Sequence, residues 1–140
     1  MSFVVLEVEY GINKTEAMVG ETIEFWARVR NKTIERLRVG AWGFAVKRGE
    51  EKPFYKYWWE QLLSPEGETT FRWFFKMPFK NVDAFIVVYY YDRKLGDWVK
   101  HSDKWFEIKN VTMERLKRWG WVIPLAVIGG GTAYAVVKRR

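Results

Sequence analysis

The chain has 140 residues, carries a net charge of +7, contains no cysteine, and has an aromatic content of 19%. This length allows one domain plus a terminal segment. The lack of cysteine excludes a disulfide framework and a thiolate metal site. Bulky aromatics with dense Lys, Arg and Glu are typical of a thermophile.

Short runs with period-two alternation predict β-strands along the first 110 residues. The clearest are residues 4–10, 23–29 and 70–77, and residues 82–91 are apolar on both faces, which predicts a central strand. Weaker patterns predict strands near residues 39–47, 54–60 and 98–108. About seven short strands separated by turn signals indicate an all-β fold, an antiparallel two-sheet sandwich over residues 1–110.

Two segments lead into strands in a similar way. Val19-Gly20-Glu21-Thr22 precedes a strand that ends at Asn31, and Pro65-Glu66-Gly67-Glu68-Thr69 precedes one that ends at Met77-Pro78. This pattern resembles immunoglobulin-like sandwich domains of the CARDB-like type, which occur in archaeal surface proteins and in proteins of archaeal viruses. The resemblance covers residues 3–109. It implies an immunoglobulin-like fold with a structural or binding role, and it assigns no functional residues.

Residues 119–137 contain no charged side chain, and a helix of this length spans about 28 Å, close to the thickness of a bilayer core. We therefore predict one C-terminal transmembrane helix. Trp119, Trp121 and Tyr134 suit the membrane interfaces, and the basic tail at residues 138–140, Lys138, Arg139 and Arg140, suits lipid headgroups. The alternative is a buried apolar helix in a soluble assembly. Basic residues on both sides leave the membrane orientation open.

Small residues lie within this apolar segment. Ala126, Gly130 and Gly131 are spaced so that a second helix could approach closely. They predict self-association or packing against another membrane span.

The positive charge is concentrated beside the predicted anchor. After residue 110 the chain has six basic residues and one acidic residue, which leaves about +2 of the total +7 for residues 1–110. Basic residues in the juxtamembrane segment 111–118 and in the tail are expected to meet phospholipid headgroups. We therefore expect a lipid bilayer as a partner and no specific nucleic acid.

No catalytic constellation stands out in the sequence. His101-Ser102-Asp103 has the residue types of a hydrolytic triad, but successive residues of a strand point to opposite faces. A single histidine and no cysteine offer few ligands for a transition metal. We expect no enzyme activity, no metal and no cofactor.

Three of the four asparagines begin Asn-x-Thr, at Asn13, Asn31 and Asn110. Each is predicted to lie in a loop, so all three are candidate glycosylation sites. The alternative is that these are ordinary turn residues.

The aromatic residues exceed what one small core can hold. Trp58, Trp59, Tyr89 and Tyr91 are the candidate partner surface, because exposed aromatic faces mark contacts with proteins or sugars. The alternative is that they form a second apolar layer against the other sheet.

The leading hypothesis is a non-enzymatic structural protein that links a membrane to other protein subunits. The chain begins Met-Ser-Phe without a secretory signal, which favours a minor capsid or membrane-linking component of a virus with an inner membrane, infecting a thermophilic archaeon. The sequons instead favour an archaeal cell-surface adhesion module. A third alternative is a membrane-bound scaffold for an enzyme subunit.

Overall fold

The computed structural model describes residues 5–118, and the chain divides after Asn110 into two units. The first unit contains the strands and the second begins with a short helix. The elements are β1 (Leu6–Ile12), β2 (Glu16–Ala17), β3 (Thr22–Asn31), β4 (Leu37–Lys47), β5 (Tyr55–Leu63), β6 (Glu68–Lys76), β7 (Val82–Asp92), β8 (Asp97–Asn110) and α1 (Thr112–Arg118).

The strands form two sheets that share one hydrophobic core. One sheet has the order β1-β3-β6, and the other has the order β2-β8-β7-β4-β5. Neighbouring strands are antiparallel except β2, which pairs with β8 in parallel. The predicted all-β two-sheet fold is confirmed. All seven predicted strands are present, and the two-residue β2 is an addition that is too short to produce a pattern in the sequence.

The core follows the predicted alternation. In β3 the residues Ile23, Phe25, Ala27 and Val29 are fully buried. Phe25 stacks on Trp73 of β6 with ring centroids 5.5 Å apart. β7 is central, as predicted, because β8 and β4 flank it on its two sides.

One glycine makes room for the largest core side chain. A Cβ atom at Gly43 of β4 would collide with the indole ring of Trp73, which reaches across from the other sheet. Trp73 is fully buried. Gly43 therefore permits the close approach of the two sheets at this point.

The sandwich has two distinct ends. At the loop end, β3 connects to β4 between Asn31 and Leu37, and β7 connects to β8 between Asp92 and Asp97. At the exit end, β8 finishes at Asn110. The backbone N–H of Asn110 donates to Oδ1 of Asn81 there, at 2.8 Å.

No helix among residues 5–118 is both long and apolar enough to cross a membrane. The predicted transmembrane segment 119–137 and the basic tail lie outside the described residues. This applies to all the predicted anchor and helix-packing residues: Trp119, Trp121, Ala126, Gly130, Gly131, Tyr134, Lys138, Arg139 and Arg140.

Candidate functional site

The outer face of the five-stranded sheet is covered by aromatic rings. Register and strand alternation place side chains from β4, β5, β7 and β8 on this face, away from the core. We call this surface the aromatic face. Its rings are Trp42, Phe44, Trp58, Phe85, Tyr89, Tyr91, Trp98 and Trp105.

The rings of the aromatic face form one continuous network. Centroid distances are 4.1 Å for Trp105–Phe85, 5.9 Å for Phe85–Phe44, 5.6 Å for Phe44–Trp42, 5.4 Å for Trp42–Trp58, 5.9 Å for Trp58–Tyr89, 5.2 Å for Trp58–Trp98 and 5.5 Å for Trp98–Tyr91. Most of these rings are half-buried because they cover one another. Trp105, at the side of the network, remains 56% exposed.

A glycine also shapes this surface. A Cβ atom at Gly40 would overlap the indole ring of Trp58, which lies over the bare backbone of β4. Lys56 places its Nζ atom 5.6 Å from the centroid of the Trp42 ring, within cation–π range. These contacts hold the rings of Trp58 and Trp42 against the sheet.

Charged pairs lie around the margin of the aromatic face. Their N···O distances are 2.9 Å for Arg38–Glu60, 2.6 Å for Lys100–Asp103 and 2.9 Å for Arg48–Asp83. An apolar aromatic centre with a polar margin is the usual anatomy of a protein interface.

The outer face of the three-stranded sheet is different, because ion pairs occupy much of it. They include Arg28–Glu9 at 2.8 Å, Arg30–Glu68 at 2.8 Å and Arg72–Glu24 at 2.6 Å. Such a solvated charged face is an ordinary protein surface. This face carries two aromatic side chains, Trp26 and Phe74, among its ion pairs, whereas the aromatic face carries eight rings.

The structure separates the predicted partner residues. Trp58, Tyr89 and Tyr91 lie together on the aromatic face. Trp59 follows Trp58 along β5, so its side chain points to the other side of the sheet. Its Nε1 donates to the backbone carbonyl oxygen of Arg72 in β6 at 2.9 Å. Trp59 therefore does not share the face on which the other three residues lie.

Several residues of the aromatic face were missed at the sequence level, namely Phe44, Phe85, Trp98 and Trp105. Phe85 has the same alternation as Tyr89 and Tyr91 within β7, so the pattern could have identified it. Trp98 and Trp105 required the strand register. A bulge in β8, opposite the step from Val88 to Tyr89, shifts the alternation between them.

The asparagines of the three Asn-x-Thr sequons all make hydrogen bonds within the folded domain. The predicted loop position of Asn31 is wrong, because it is the last residue of β3 and is fully buried. Its Nδ2 donates to the carbonyl oxygens of Glu35, Leu63 and Ser64 at 2.8, 3.1 and 3.1 Å. A glycan on this nitrogen would replace one of its two hydrogens and require the buried side chain to move, which argues against Asn31 as an acceptor in the folded domain.

The other two sequons also contribute structural contacts. Asn110 is the last residue of β8, not a loop residue, and its Nδ2 donates to the carbonyl oxygen of Pro78 at 2.7 Å. Asn13 does lie in a loop, where its Oδ1 accepts from the N–H of Glu24 at 2.9 Å. These contacts favour the alternative interpretation, in which the asparagines are ordinary turn and strand-end residues.

His101 and Ser102 lie in the bulge of β8 and contact each other, with Nδ1 3.0 Å from Oγ. The expectation that neighbouring side chains diverge here was wrong, because the bulge interrupts the alternation. The Tyr10 hydroxyl lies 2.6 Å from the same Oγ. Asp103 instead pairs with Lys100, so the three residues do not form a triad.

Burial affects the ionisation of this cluster. It lowers the pKa of His101 below its ordinary value, although a hydrogen bond with the backbone of Leu6 acts in the opposite direction. Burial also raises the pKa of Tyr10, and the hydrogen bond with Ser102 opposes that shift. At neutral pH the cluster is therefore a set of uncharged groups that link β1 to β8.

A cleft of about 1130 Å³ opens at the loop end of the sandwich. It borders the aromatic face, since Tyr91 and Trp98 contribute to its lining, and the two loops at residues 32–36 and 92–94 form its other walls. Among residues 5–118, no group of three or more His, Asp or Glu side chains is placed to hold a metal ion.

No protein-family model matches the chain, and no curated protein matches it in sequence. Among solved structures, the sporulation control protein Spo0M of Bacillus subtilis is similar over 77% of this chain and 50% of its own, at 13% identity and a TM-score of 0.46. A β-glucosidase of Erythrobacter marinus is similar over 76% of this chain and 16% of its own, at 12% identity and a TM-score of 0.48. A β-glucosidase of Listeria innocua is similar over 75% of this chain and 16% of its own, at 11% identity and a TM-score of 0.44.

The chain thus spans half the length of Spo0M and a small part of each glucosidase. At these scores the likenesses carry no argument about function. The functional reasoning rests on the surfaces of the sandwich itself.

Proposed function

We propose that this protein is a non-enzymatic structural protein that binds another protein subunit through the aromatic face and is held at a membrane by residues 119–137. The proposed binding through the aromatic face rests on the contrast between the outer faces of the two sheets. One face is occupied by ion pairs, whereas the other exposes a continuous set of rings. Aromatic side chains stabilise the domain most when buried, and a face that leaves them in water gains that stabilisation only on binding.

A protein fits this face better than a sugar does. Phe85 and Trp105 have centroids 4.1 Å apart at an interplanar angle of 27°, so the two rings stack face to face and do not lie side by side as a flat platform. Trp58 and Trp98 meet edge to face at 86°. The resulting surface is ridged, with tryptophans near its centre, and tryptophan is one of the residue types enriched in protein–protein hot spots.

The membrane part of the proposal rests on the sequence of residues 119–137. The chain should remain with membranes after extraction at alkaline pH, which strips peripheral proteins. A chain that ends after Arg118 should be released. Release of the full chain under the same conditions would contradict a transmembrane helix.

The proposal also includes the fold family and the kind of structural protein. The order of the strands supports an immunoglobulin-like sandwich. One sheet contains β1, β3 and β6, and the other has β8, β7, β4 and β5 side by side. We favour a minor capsid or membrane-linking component of a membrane-containing virus of a thermophilic archaeon. The cell-surface alternative has less support, because its sequon asparagines make structural hydrogen bonds.

Two single substitutions with closely matched exposure test the aromatic face. Trp105 is 56% exposed and Phe74, on the outer face of the other sheet, is 50% exposed. The full chain carrying Trp105→Ser should lose the protein that co-sediments with it in native particles or membranes. The Phe74→Ser chain should retain that protein, and both variants should keep the circular dichroism spectrum of the wild type. Equal retention by both folded variants would contradict the proposal.

A further inference from the structure

Two loops at the loop end of the sandwich have the same design, an apolar apex beside basic residues. In the connection between β3 and β4, Ile34 lies between Lys32 and Arg36. In the connection between β7 and β8, Leu95 follows Arg93 and Lys94. The side chain of Ile34 is 92% exposed and that of Leu95 is 70% exposed.

The Ile34 apex is held outward by hydrogen bonds. Oδ1 of the buried Asn31 accepts from the backbone N–H and the hydroxyl of Thr33, at 2.9 and 2.7 Å. The Thr33 hydroxyl also lies 2.9 Å from the carbonyl oxygen of Glu35. These contacts fix the residues on both sides of Ile34, so its exposure is imposed by the loop.

The Leu95 apex is fixed in a similar way. Oδ1 of Asp92 accepts from the N–H groups of Lys94 and Leu95 at 2.8 and 3.2 Å. Gly96 adopts a positive φ of 67° and donates its N–H to the carbonyl oxygen of Asp92 at 2.8 Å. An ordered turn thus presents a leucine to water, which contributes nothing to folding.

Three of the four cations beside these apexes lack an acidic partner among residues 5–118. Most arginines on the sheets form ion pairs, but within residues 5–118 no acidic side chain pairs with Arg36, Arg93 or Lys94. Lys32 pairs with Glu66 at 3.1 Å.

The cleft between the loops has an excess of basic over acidic residues in its lining. The basic residues are Lys32, Arg36, Arg38, Arg93 and Lys94, and the acidic residues are Glu35, Glu60 and Asp92. Arg38–Glu60 and Lys32–Glu66 are ion pairs without net charge, and the remaining Arg36, Arg93 and Lys94 outnumber Glu35 and Asp92 by one. The charge left for a ligand is therefore positive.

We infer that the loop end is a docking site for an anionic lipid surface. Isolated apolar side chains that project from a ring of cations suit the membrane interface, where the apexes enter the headgroup boundary and the cations meet phosphates. A small free anion would be bound by the cations without any apolar apex. A stable protein interface would require about 800 Å² of contiguous surface per partner, whereas Ile34 and Leu95 are two separate points.

This site contains no residue of the predicted anchor, although Tyr91 and Trp98 of the aromatic face also line its cleft. The chain leaves the sandwich at Asn110, at the opposite end of β8 from Asp97. A strand of this length spans on the order of 40 Å at about 3.3 Å per residue. The loop end is therefore distant from Asn110, the last residue of the sandwich.

The test uses the full chain reconstituted in phosphatidylcholine nanodiscs and added to larger vesicles. The vesicles contain either phosphatidylcholine alone or phosphatidylcholine with phosphatidylserine, and co-flotation measures binding. We expect binding only to the phosphatidylserine vesicles. The combined Ile34→Ser and Leu95→Ser substitutions should weaken it by at least about tenfold. The combined Arg36→Gln, Arg93→Gln and Lys94→Gln substitutions should weaken it by about 100-fold.

The control variant combines Phe74→Ser and Lys76→Gln, which remove an exposed aromatic and an exposed cation from the other sheet. It should bind like the wild type, and so should Trp105→Ser, which separates this site from the aromatic face. Equal binding to both vesicle types would overturn the inference, as would wild-type binding by the loop variants. Complete displacement by millimolar inorganic phosphate would indicate a small-anion pocket instead and would also overturn it.

Discussion

The indole Nε1 of Trp59 in β5 donates a hydrogen bond of 2.9 Å to the backbone carbonyl oxygen of Arg72 in β6. In the reverse direction, Nε1 of Trp73 in β6 donates to the carbonyl oxygen of Tyr57 in β5, also at 2.9 Å. β5 and β6 belong to different sheets, so these two bonds join the sheets along one side of the sandwich. The two tryptophans of β5 therefore have different roles. Trp59 links the two sheets, whereas Trp58 belongs to the aromatic face.

Replacing these neighbouring tryptophans tests that division. Trp59→Phe retains an aromatic ring but removes the donor to Arg72, so the free energy of unfolding should fall by about 0.5–1.5 kcal/mol. Trp58→Phe is the control, because the Nε1 of Trp58 bonds only to the exposed carboxylate of Glu60, at 3.2 Å. Urea denaturation of both variants measures the difference. Equal losses would show that the hydrogen bond between the sheets contributes nothing specific.

Asn31 should be essential to the stability of the loop end. Asn31→Ala leaves the carbonyl oxygens of Leu63 and Ser64 without their amide donor, and each such buried loss costs about 1–3 kcal/mol. Asn13→Ala is the matched sequon variant, and its smaller expected loss reflects the exposed position of Asn13. Denaturant unfolding compares the two. A glycan on Asn31 in the intact mass of folded native protein would refute this role.

The two close glycine contacts should respond differently to an added methyl group. Gly43→Ala pushes against Trp73, which is fully buried and cannot move aside, so we expect a loss of about 1–3 kcal/mol. Gly40→Ala pushes against Trp58, which is half-buried and can move toward solvent. Its stability should change less while the aromatic face is disturbed. Thermal unfolding measures both variants, and the reverse order of stability would contradict the assigned packing.

The lowered pKa of His101 predicts an acid-sensitive domain. As the pH falls below about 6.5, the unfolded chain takes up a proton at this histidine more readily than the folded domain does. The free energy of unfolding should therefore decrease as the pH falls below about 6.5, starting above the range in which ordinary carboxylates titrate. His101→Gln should remove this part of the decrease. An unchanged slope in that variant would assign the effect to other groups.

The fold was largely predictable because alternation reports burial directly. Phe25 and Phe75 lie on core faces at the positions that the period-two pattern predicts. The pattern failed at β2, whose two residues are too few to repeat, and at the bulge, where His101 is an additional residue. Both failures occur where pairing between strands decides the structure.

The candidate site was less predictable because it depends on register. The sequence indicated that too many aromatics were present for one core, but it did not show which strands are neighbours. Trp42 and Phe85 became parts of one surface only when β4 and β7 paired. The structural role of Asn31 was not predictable for a similar reason, since its hydrogen bonds to Leu63 and Ser64 connect positions that are far apart in sequence.

Site-specific photocrosslinking of the full chain in its native membranes or particles tests the aromatic face most directly. A benzophenone amino acid would replace Trp105 in one variant and Phe74 in the other, at positions of similar exposure on opposite outer faces. The account predicts one discrete crosslinked polypeptide from position 105 and none from position 74. No adduct from position 105, or the same adduct from both positions, would contradict it.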